Sequence, residues 1–161
     1  MRRGTTSNTD RRVSPAARAL VCAVLVLGAA CSSSTAVERD LAAAKRRWSV
    51  TAPAAYQITV APSCFCPSEV TRPATLTVRD GQVESRRYVD TGADVDPRYA
   101  TSFPSVDGLF AIIDAAVARG AARVEATYDA TRGYPISIAI DYLFQVADDE
   151  SFYGASDFKV R

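Results

Sequence analysis

The two cysteines of the segment SCFCPSEV, residues 63–70, are the residues whose type and spacing come closest to a chemical function. Cys64 and Cys66 are separated by one residue only. Two thiols this close can form an internal disulfide, exchange electrons with another thiol pair, or supply two ligands to a metal ion. The compartment and the neighbouring side chains decide between these chemistries.

An internal disulfide is the structural interpretation of the pair. Its loop is so short that loop closure contributes only about 1.5 kcal/mol to stability. In a straight strand the side chains of residues i and i+2 point the same way with their Cβ atoms too far apart, so the chain must bend at Phe65. Pro62 and Pro67 are compatible with that bend. Such a bridge fixes the shape of the loop more than it stabilises the fold.

Thiol–disulfide exchange and metal binding are the functional interpretations. A reactive thiolate usually lies beside a positive charge or a helix N-terminus that lowers its pKa. Glu69 would have the opposite effect, and Arg72 is the only local counterweight in the sequence. Two thiolates alone rarely hold zinc, and the chain has no histidine to complete a tetrahedral site. Free thiols and a bridge between two chains are the remaining alternatives.

Histidine is absent from all 161 residues of the chain. This absence excludes Ser-His-Asp and Cys-His catalysis, imidazole metal ligation and imidazole pH sensing. The acidic segments 94–96 and 148–150 offer oxygen ligands for calcium, but neither has a known calcium-loop spacing, so solvated turns are expected. Tyr128, Tyr134 and Tyr142 could line a ligand surface, although aromatic residues that alternate along strands more often belong to the core. The sequence therefore predicts a protein that is not an enzyme and has no catalytic residue, metal site or cofactor.

The first 30 residues have the composition of an export signal. Five arginines precede a short apolar run, ALVCAVLVLGAA, at residues 19–30. The run is about 12 residues long, whereas a membrane-spanning helix needs roughly 20. A basic start, a short apolar core and small residues at its end are typical of a secretion signal. We therefore expect residues 1–30 to be a signal peptide that takes no part in the fold.

The segment LGAAC, which ends at Cys31, resembles the lipobox of bacterial lipoproteins, whose cysteine receives diacylglycerol after cleavage. A leucine usually stands three positions before that cysteine, whereas here Leu27 stands four before it. Ordinary signal cleavage is the alternative, because Gly28 and Ala30 also suit a small-x-small site. The resemblance implies lipidation of Cys31 on the extracytoplasmic side of the cell membrane, with residues 31–37 as a short polar tether.

The chain after residue 30 is long enough for one domain. Five of the 19 Lys and Arg and one of the 18 Asp and Glu lie in the first 30 residues, so the remainder carries a small net negative charge. That balance gives no electrostatic case for nucleic acid as a partner. With Cys22 removed in the leader and Cys31 acylated, Cys64 and Cys66 would be the only thiols left in a compartment that favours disulfides.

Two segments have the periodicity of amphipathic helices. Residues 37–48 form the first, and its basic run at 45–47 is expected on a solvated face, with contact to anionic lipid headgroups as the alternative. Residues 105–120 form the stronger helix, with Ser105 as the N-cap and Gly120 at the C-terminal stop. The apolar residues that recur every three or four positions are Leu41, Ala44 and Trp48 in the first segment, and Val106, Leu109, Phe110, Ile113, Ala116 and Val117 in the second.

Alternating apolar residues predict six strands. Asp80 and Gly81 form a two-residue type I′ turn that places Val78 opposite Val83 in a hairpin. The segment DATRG joins the fourth and fifth strands in a second hairpin. The strands come from the segments AAYQITVAP, ATLTVR, QVESRRYV, ARVEATYD, GYPISIAIDY and SFYGASDFKV.

The order of these elements is α-β-β-β-α-β-β-β. Short turns between strands favour antiparallel pairing, and two helices can cover one face of a sheet. We therefore predict a single α+β domain over residues 38–161, with one antiparallel sheet covered by two helices on one face. The two α-β-β-β halves suggest a weak internal repeat.

Six segments, YQITV, SCFCP, LTVRDGQV, VDGLFAIIDAAVARGA, VEATYDATRGYPISIAID and DDESFYGASDFKV, together resemble an uncharacterised family of small secreted or lipid-anchored bacterial proteins. The resemblance covers residues 41–160, and it implies the fold and the location but no active site. We expect a non-catalytic lipoprotein of the cell envelope that binds a protein, a peptidoglycan fragment or a small ligand. The alternative is a redox-active lipoprotein that uses Cys64 and Cys66.

Overall fold

The computed structural model describes residues 35–143 and 150–161. The predicted signal peptide, the lipidation site Cys31 and residues 31–34 of the predicted tether lie outside the described residues. No helix among the described residues has the length and apolarity needed to cross a membrane.

Six antiparallel strands form a single sheet in the order β3-β2-β1-β6-β5-β4. The predicted α+β class and the single antiparallel sheet are therefore confirmed. The first three strands and the last three form adjacent halves, which meet where β1 pairs with β6. The strands are β1 (Ala55–Ser63), β2 (Ala74–Arg79), β3 (Gln82–Tyr88), β4 (Arg123–Tyr128), β5 (Pro135–Asp141) and β6 (Ser151–Val160).

Four helices accompany the sheet within the described chain: α1 (35–51), α2 (Ser68–Thr71), a 3₁₀-helix (Pro97–Ser102) and α3 (Val106–Ala118). The predicted order of two helices and six strands is incomplete, because it lacks α2 and the 3₁₀-helix. Both are too short to show a helical repeat in the sequence. Helix α1 also covers residues 35–37, which the sequence assigned to the tether.

Local signals in the sequence define the ends of the main elements. Ser105 caps α3 by accepting a hydrogen bond from the Gly108 amide at 3.3 Å. In the first hairpin Val78 pairs with Val83, as predicted, and both turn residues have a positive φ, 48° at Asp80 and 77° at Gly81. This turn chemistry sets the pairs next to the turn, and a register shift between Thr77 and Val78 then displaces the remaining pairs by one residue.

The core lies between the sheet and the two long helices, and both helices contribute buried residues to it. One predicted inward residue, Ile136, is instead 40% exposed. A register shift between Thr127 and Tyr128 lets Pro135 pair with Tyr128, and Pro135 takes the buried position. The fully buried large side chains are Phe103, Ile58, Leu76, Leu109, Ile113, Ile138, Ile140, Val60, Val78, Val106 and Pro135.

An aromatic cluster attaches α1 to the sheet. The Trp48 ring meets Tyr56 of β1 edge-on, with ring centroids 5.6 Å apart, and meets Phe158 of β6 at 5.9 Å. The indole Nε1–H of Trp48 donates to Asp107 of α3 at 3.0 Å. The hydroxyl oxygen of Tyr56 accepts a hydrogen bond from the Val106 amide at 3.2 Å. Two helices and the two central strands are therefore joined at one place.

Substitution of Gly133 tests how closely α1 approaches the β4–β5 loop. Gly133 has φ +84°, and an added Cβ would lie 2.4 Å from the backbone oxygen of Ala44. Gly81 has a similar φ of +77° but open space around it. We expect Gly133→Ala to lower the free energy of unfolding by about 2 kcal/mol more than Gly81→Ala, because only the former adds a clash to the backbone strain. Urea unfolding measures both, and equal losses would contradict the close approach.

Tyr56 makes stability depend on alkaline pH. Burial raises the pKa of Tyr56 to about 12, the hydrogen bond from Val106 opposes this shift, and Asp107 adds to it. Because the folded pKa exceeds the ordinary value of 10.0, the contribution is complete below pH 10 and is lost as pH rises toward 12. In urea unfolding from pH 8 to 11, we expect stability to fall above pH 10 and Tyr56→Phe to flatten that fall. Parallel pH curves for the two proteins would show that Tyr56 does not cause it.

Candidate functional site

The cysteine pair lies in the loop between β1 and α2, directly after Ser63. Cys64 and Cys66 are joined by a disulfide, with their Cα atoms 5.2 Å apart. The amide of Cys66 donates to the carbonyl oxygen of Cys64 at 2.8 Å, so the chain bends at Phe65 as the sequence predicted. The side chain of Phe65 points into solvent and is 87% exposed.

Arg72, the basic residue nearest to the pair in sequence, is committed to another partner. Its Nε and Nη2 donate to the two carboxylate oxygens of Asp90 at 3.0 and 2.6 Å, and Nη2 also reaches Thr91. The hydrogen bond to Asp90 raises the pKa of Arg72, and the same bond lowers the pKa of Asp90. The guanidinium also lies 4.2 Å from the ring centroid of Tyr88. The charge that could stabilise a thiolate is thus already paired with a carboxylate.

The acidic segments have structural partners where they are described. Asp94 forms an ion pair with Arg87 at 3.0 Å. Asp96 caps the 3₁₀-helix by accepting from the Arg98 amide at 2.9 Å, and residues 148 and 149 lie outside the described chain. Across residues 35–143 and 150–161, no group of three or more Asp, Glu or Cys side chains is placed to hold a metal ion.

The three tyrosines that the sequence singled out occupy different environments. Tyr134 stacks on Phe158 with ring centroids 4.8 Å apart, so it belongs to the aromatic cluster. Tyr142 is partly buried against the core directly after β5. Tyr128, the last residue of β4, lines an open groove beside α1. Its ring lines the groove, whereas its hydroxyl is buried.

This α1–β4 groove has a volume of about 210 Å³. The inward-facing residues of β4 that line it are only half-buried, whereas those of the central strand β1 are fully covered. The first turns of α1 lie beside β4 with small or short side chains and do not fill the space. The lining residues are Ala36, Val37 and Asp40 from α1, and Val124, Glu125, Ala126 and Tyr128 from β4.

The hydroxyl of Tyr128 is buried and has no hydrogen-bond partner in the part of the chain that the structure describes. Its ring stacks on Phe110 of α3, with centroids 6.3 Å apart and planes 16° from parallel. Burial raises the pKa of Tyr128 to about 12, and the carboxylates of Asp40 and Asp114 add to the shift. The phenol therefore stays protonated at neutral pH and can donate a hydrogen bond. A buried polar group without a partner costs about 1–3 kcal/mol, and an acceptor on a ligand relieves this cost only if α1 shifts enough to open the hydroxyl to the groove.

The carboxylate of Asp40 supplies the second polar group of the groove. Its ion pair is with the adjacent Arg39 at 3.1 Å, and both side chains are largely exposed, so the pair contributes little. The neighbouring carboxylate, Asp114, is instead bound to Lys45 across the two long helices at 2.6 Å. Glu125 also lines the groove and has a similarly exposed partner in Arg123. The groove thus combines apolar walls, one hydrogen-bond donor and two carboxylates.

The two edge strands of the sheet differ in how they end. The edge of β3 is followed by chain that folds back on it, since the Tyr88 amide donates to Ala93 and the Val95 amide donates to Arg86, both at 2.9 Å. In the described chain, β4 pairs only with β5. Its outer edge therefore presents unpaired backbone groups alongside the groove, and such an edge is a template for a further strand.

Sequence reasoning placed Tyr128 in a strand with its ring inward but assigned it to the core. The alternation of Val124, Ala126 and Tyr128 predicts only that these three side chains point toward the core side of the sheet. Whether a helix covers these residues depends on which strand ends the sheet, and no local pattern reports that order. The short side chains of Ala36 and Val37 were the available signal, because they leave space at the start of α1.

Searches of curated proteins and of solved structures find no match to this chain. The profile of DUF6174, described as a family of unknown function, matches residues 40–160. These residues include the cysteine pair, β4 and five of the seven residues that line the groove. Because the match covers well over half of the chain, the protein belongs to DUF6174.

Proposed function

We propose that this protein is a non-catalytic binding module of the cell envelope, held to the membrane by a lipid on Cys31. We further propose that it binds an extended peptide segment of a partner protein in the α1–β4 groove. The export signal and the LGAAC segment support the anchor and the location. The unpaired edge of β4 and the groove beside it support the binding mode.

An extended peptide can add to β4 as a seventh strand. Main-chain hydrogen bonds to the edge would supply affinity, and every second side chain of the peptide would enter the groove. Val37, Val124 and Ala126 provide apolar contacts for those side chains. A helix beside an open strand edge suits this mode, because it offers a wall against which the added strand packs.

The polar groups of the groove define the peptide further. The protonated phenol of Tyr128 can donate a hydrogen bond, so the peptide should carry a hydrogen-bond acceptor that reaches this hydroxyl. The Asp40 carboxylate favours a Lys or Arg on the peptide nearby. The observation that carries the proposal is the buried Tyr128 hydroxyl, which lacks a partner in the described chain and lies next to an unpaired strand edge.

Selection of random dodecapeptides on the full-length protein tests this binding mode. We expect the selected peptides to alternate apolar residues and to contain a Lys or Arg. Their affinity should fall roughly 3- to 10-fold in Tyr128→Phe and in Asp40→Asn, because each change removes one polar contact. Fluorescence anisotropy with labelled peptides measures the affinities.

Tyr142→Phe is the matched control, since it removes a tyrosine hydroxyl outside the groove and should leave affinity unchanged. Tyr128→Phe should not lower the free energy of unfolding, because the lost hydroxyl has no partner in the described chain. Peptides that bind all four proteins equally would place their site elsewhere and contradict the proposal.

The alternative function, thiol–disulfide exchange by Cys64 and Cys66, makes a separate prediction. Because Arg72, the basic residue nearest to the pair in sequence, is engaged by Asp90, its charge is not free to stabilise the reduced form of the pair. We therefore expect a reduction potential below about −300 mV, in the range of inert structural bridges. Equilibration with glutathione or dithiothreitol buffers, followed by thiol alkylation and mass analysis, measures this potential. A potential near −200 mV would instead favour the redox function.

A further inference from the structure

Four of the seven large apolar side chains that are exposed in the described chain lie at one end of the sheet. Phe65 follows the last residue of β1 by two positions and is 87% exposed. Phe152 belongs to the adjacent strand β6, where it pairs with Ser63 directly before the cysteine loop. Leu143 and Val89 are also exposed. We call Phe65, Val89, Leu143 and Phe152 the apolar rim.

The strand register places the other two rim residues at the same end. Val89 directly follows Tyr88, the residue of β3 that pairs with Ala74 at the start of β2. Ala74 in turn pairs with Val60 near the end of β1. Leu143 lies just beyond β5, whose Ile140 pairs with the first residue of β6. The rim therefore lies at one end of the sheet, beside β3, β1, β6 and β5, and β2 contributes no residue to it.

The first described residues of α1 lie at this end as well. The opposite end of α1 is fixed at the far side of the sheet, where the Thr51 hydroxyl donates to Arg132 in the β4–β5 loop at 3.1 Å. Helix α1 covers residues 35–51, so it rises about 25 Å from there. Its Leu41 lies beside Val117 and Ala118, which directly precede the start of β4. The start of β4 pairs with the end of β5 and so belongs to the rim end.

The number of residues between Cys31 and α1 limits the distance between the start of α1 and a lipid anchor on Cys31. Five peptide steps separate Cys31 from Ala36, and a fully extended chain spans at most about 3.6 Å per residue, or about 18 Å in all. We propose that the apolar rim rests on the lipid bilayer that holds the acylated Cys31, so that the domain docks on its own membrane. This inference rests on the lipid anchor of the proposed function.

The chemistry of the rim fits a lipid surface. The disulfide holds the bend at which Phe65 protrudes, so the ring reaches the interface with little loss of conformational freedom. Arg72 is paired with Asp90 and Arg87 with Asp94, whereas Glu69 and Glu150, near Phe65 and Phe152, have no ion pair in the described chain. A contact made of apolar side chains beside unpaired carboxylates draws on the hydrophobic effect and gains nothing from negative headgroups, so anionic lipid should not be required.

Tryptophan quenching in vesicles tests the docking. The full-length, lipidated protein is reconstituted into vesicles of brominated phosphatidylcholine, with or without phosphatidylglycerol. The Phe65→Trp variant is compared with Val50→Trp, which is 85% exposed on the last turn of α1 at the other end. The signal of the native Trp48 is subtracted with the unmodified protein. We expect several-fold stronger quenching and a blue-shifted emission for the tryptophan at position 65, to the same extent in both lipid mixtures.

Flotation of the same vesicles separates failure of docking from failure of the anchor. If the protein floats with the vesicles but the tryptophans at positions 65 and 50 are equally unquenched, the lipid anchor is supported and the docking is contradicted. Protein that does not float, or that floats equally well as Cys31→Ser, overturns the anchor and the docking with it. Quenching at position 65 that disappears when solubilised envelope proteins are added would assign the rim to a protein partner and also overturn the inference.

Discussion

The packing of Trp48 fixes α1 against the sheet, and the other features of the molecule depend on where α1 lies. Trp48 contacts Tyr56 and Phe158 of the two central strands and donates a hydrogen bond to Asp107 of α3. Gly133 allows the β4–β5 loop to approach the backbone of Ala44. Because these contacts hold the last turns of α1, the regular geometry of the helix determines where its first turns lie.

That placement has two consequences at the opposite end of α1. The first turns lie beside β4 but carry Ala36 and Val37, which are too small to cover Val124, Ala126 and Tyr128. A groove with an unpartnered buried hydroxyl results. The same turns lie at the end of the sheet that carries Phe65 and Phe152. In our account the helix therefore determines both what the domain can bind and which end faces the membrane.

Much of the fold could be predicted from the sequence, because its signals are local. The Asp80-Gly81 turn gave the pairing of Val78 with Val83, and the Ser105 cap gave the start of α3. The bridge between Cys64 and Cys66, with its bend at Phe65, is one of the interpretations that their two-residue spacing left open. The α2 helix and the 3₁₀-helix were missed, because a segment of four to six residues has no measurable period.

The candidate site was harder to predict, because it depends on relations between distant residues. Strand order makes β4 an edge, and the exposure of Tyr128 follows from that order rather than from its alternation with Val124 and Ala126. Likewise, Arg72 looked like a neighbour of the cysteine pair in sequence, but in three dimensions it binds Asp90, 18 residues away. Tyr128 does pack against the core, as its alternation predicts, but its place beside the groove and the pairing of Arg72 depend on residues that are distant in the sequence.

Hydrogen exchange of the β4 amides in the full-length protein tests the central claim most directly. If the outer edge of β4 is open for an added strand, alternate amides across residues 123–128 should exchange fast while those bonded to β5 remain protected. Addition of a selected peptide should then protect the fast amides. If all the amides of residues 123–128 are as protected in the free protein as those of the central strand β1, the edge is already occupied and the account is wrong.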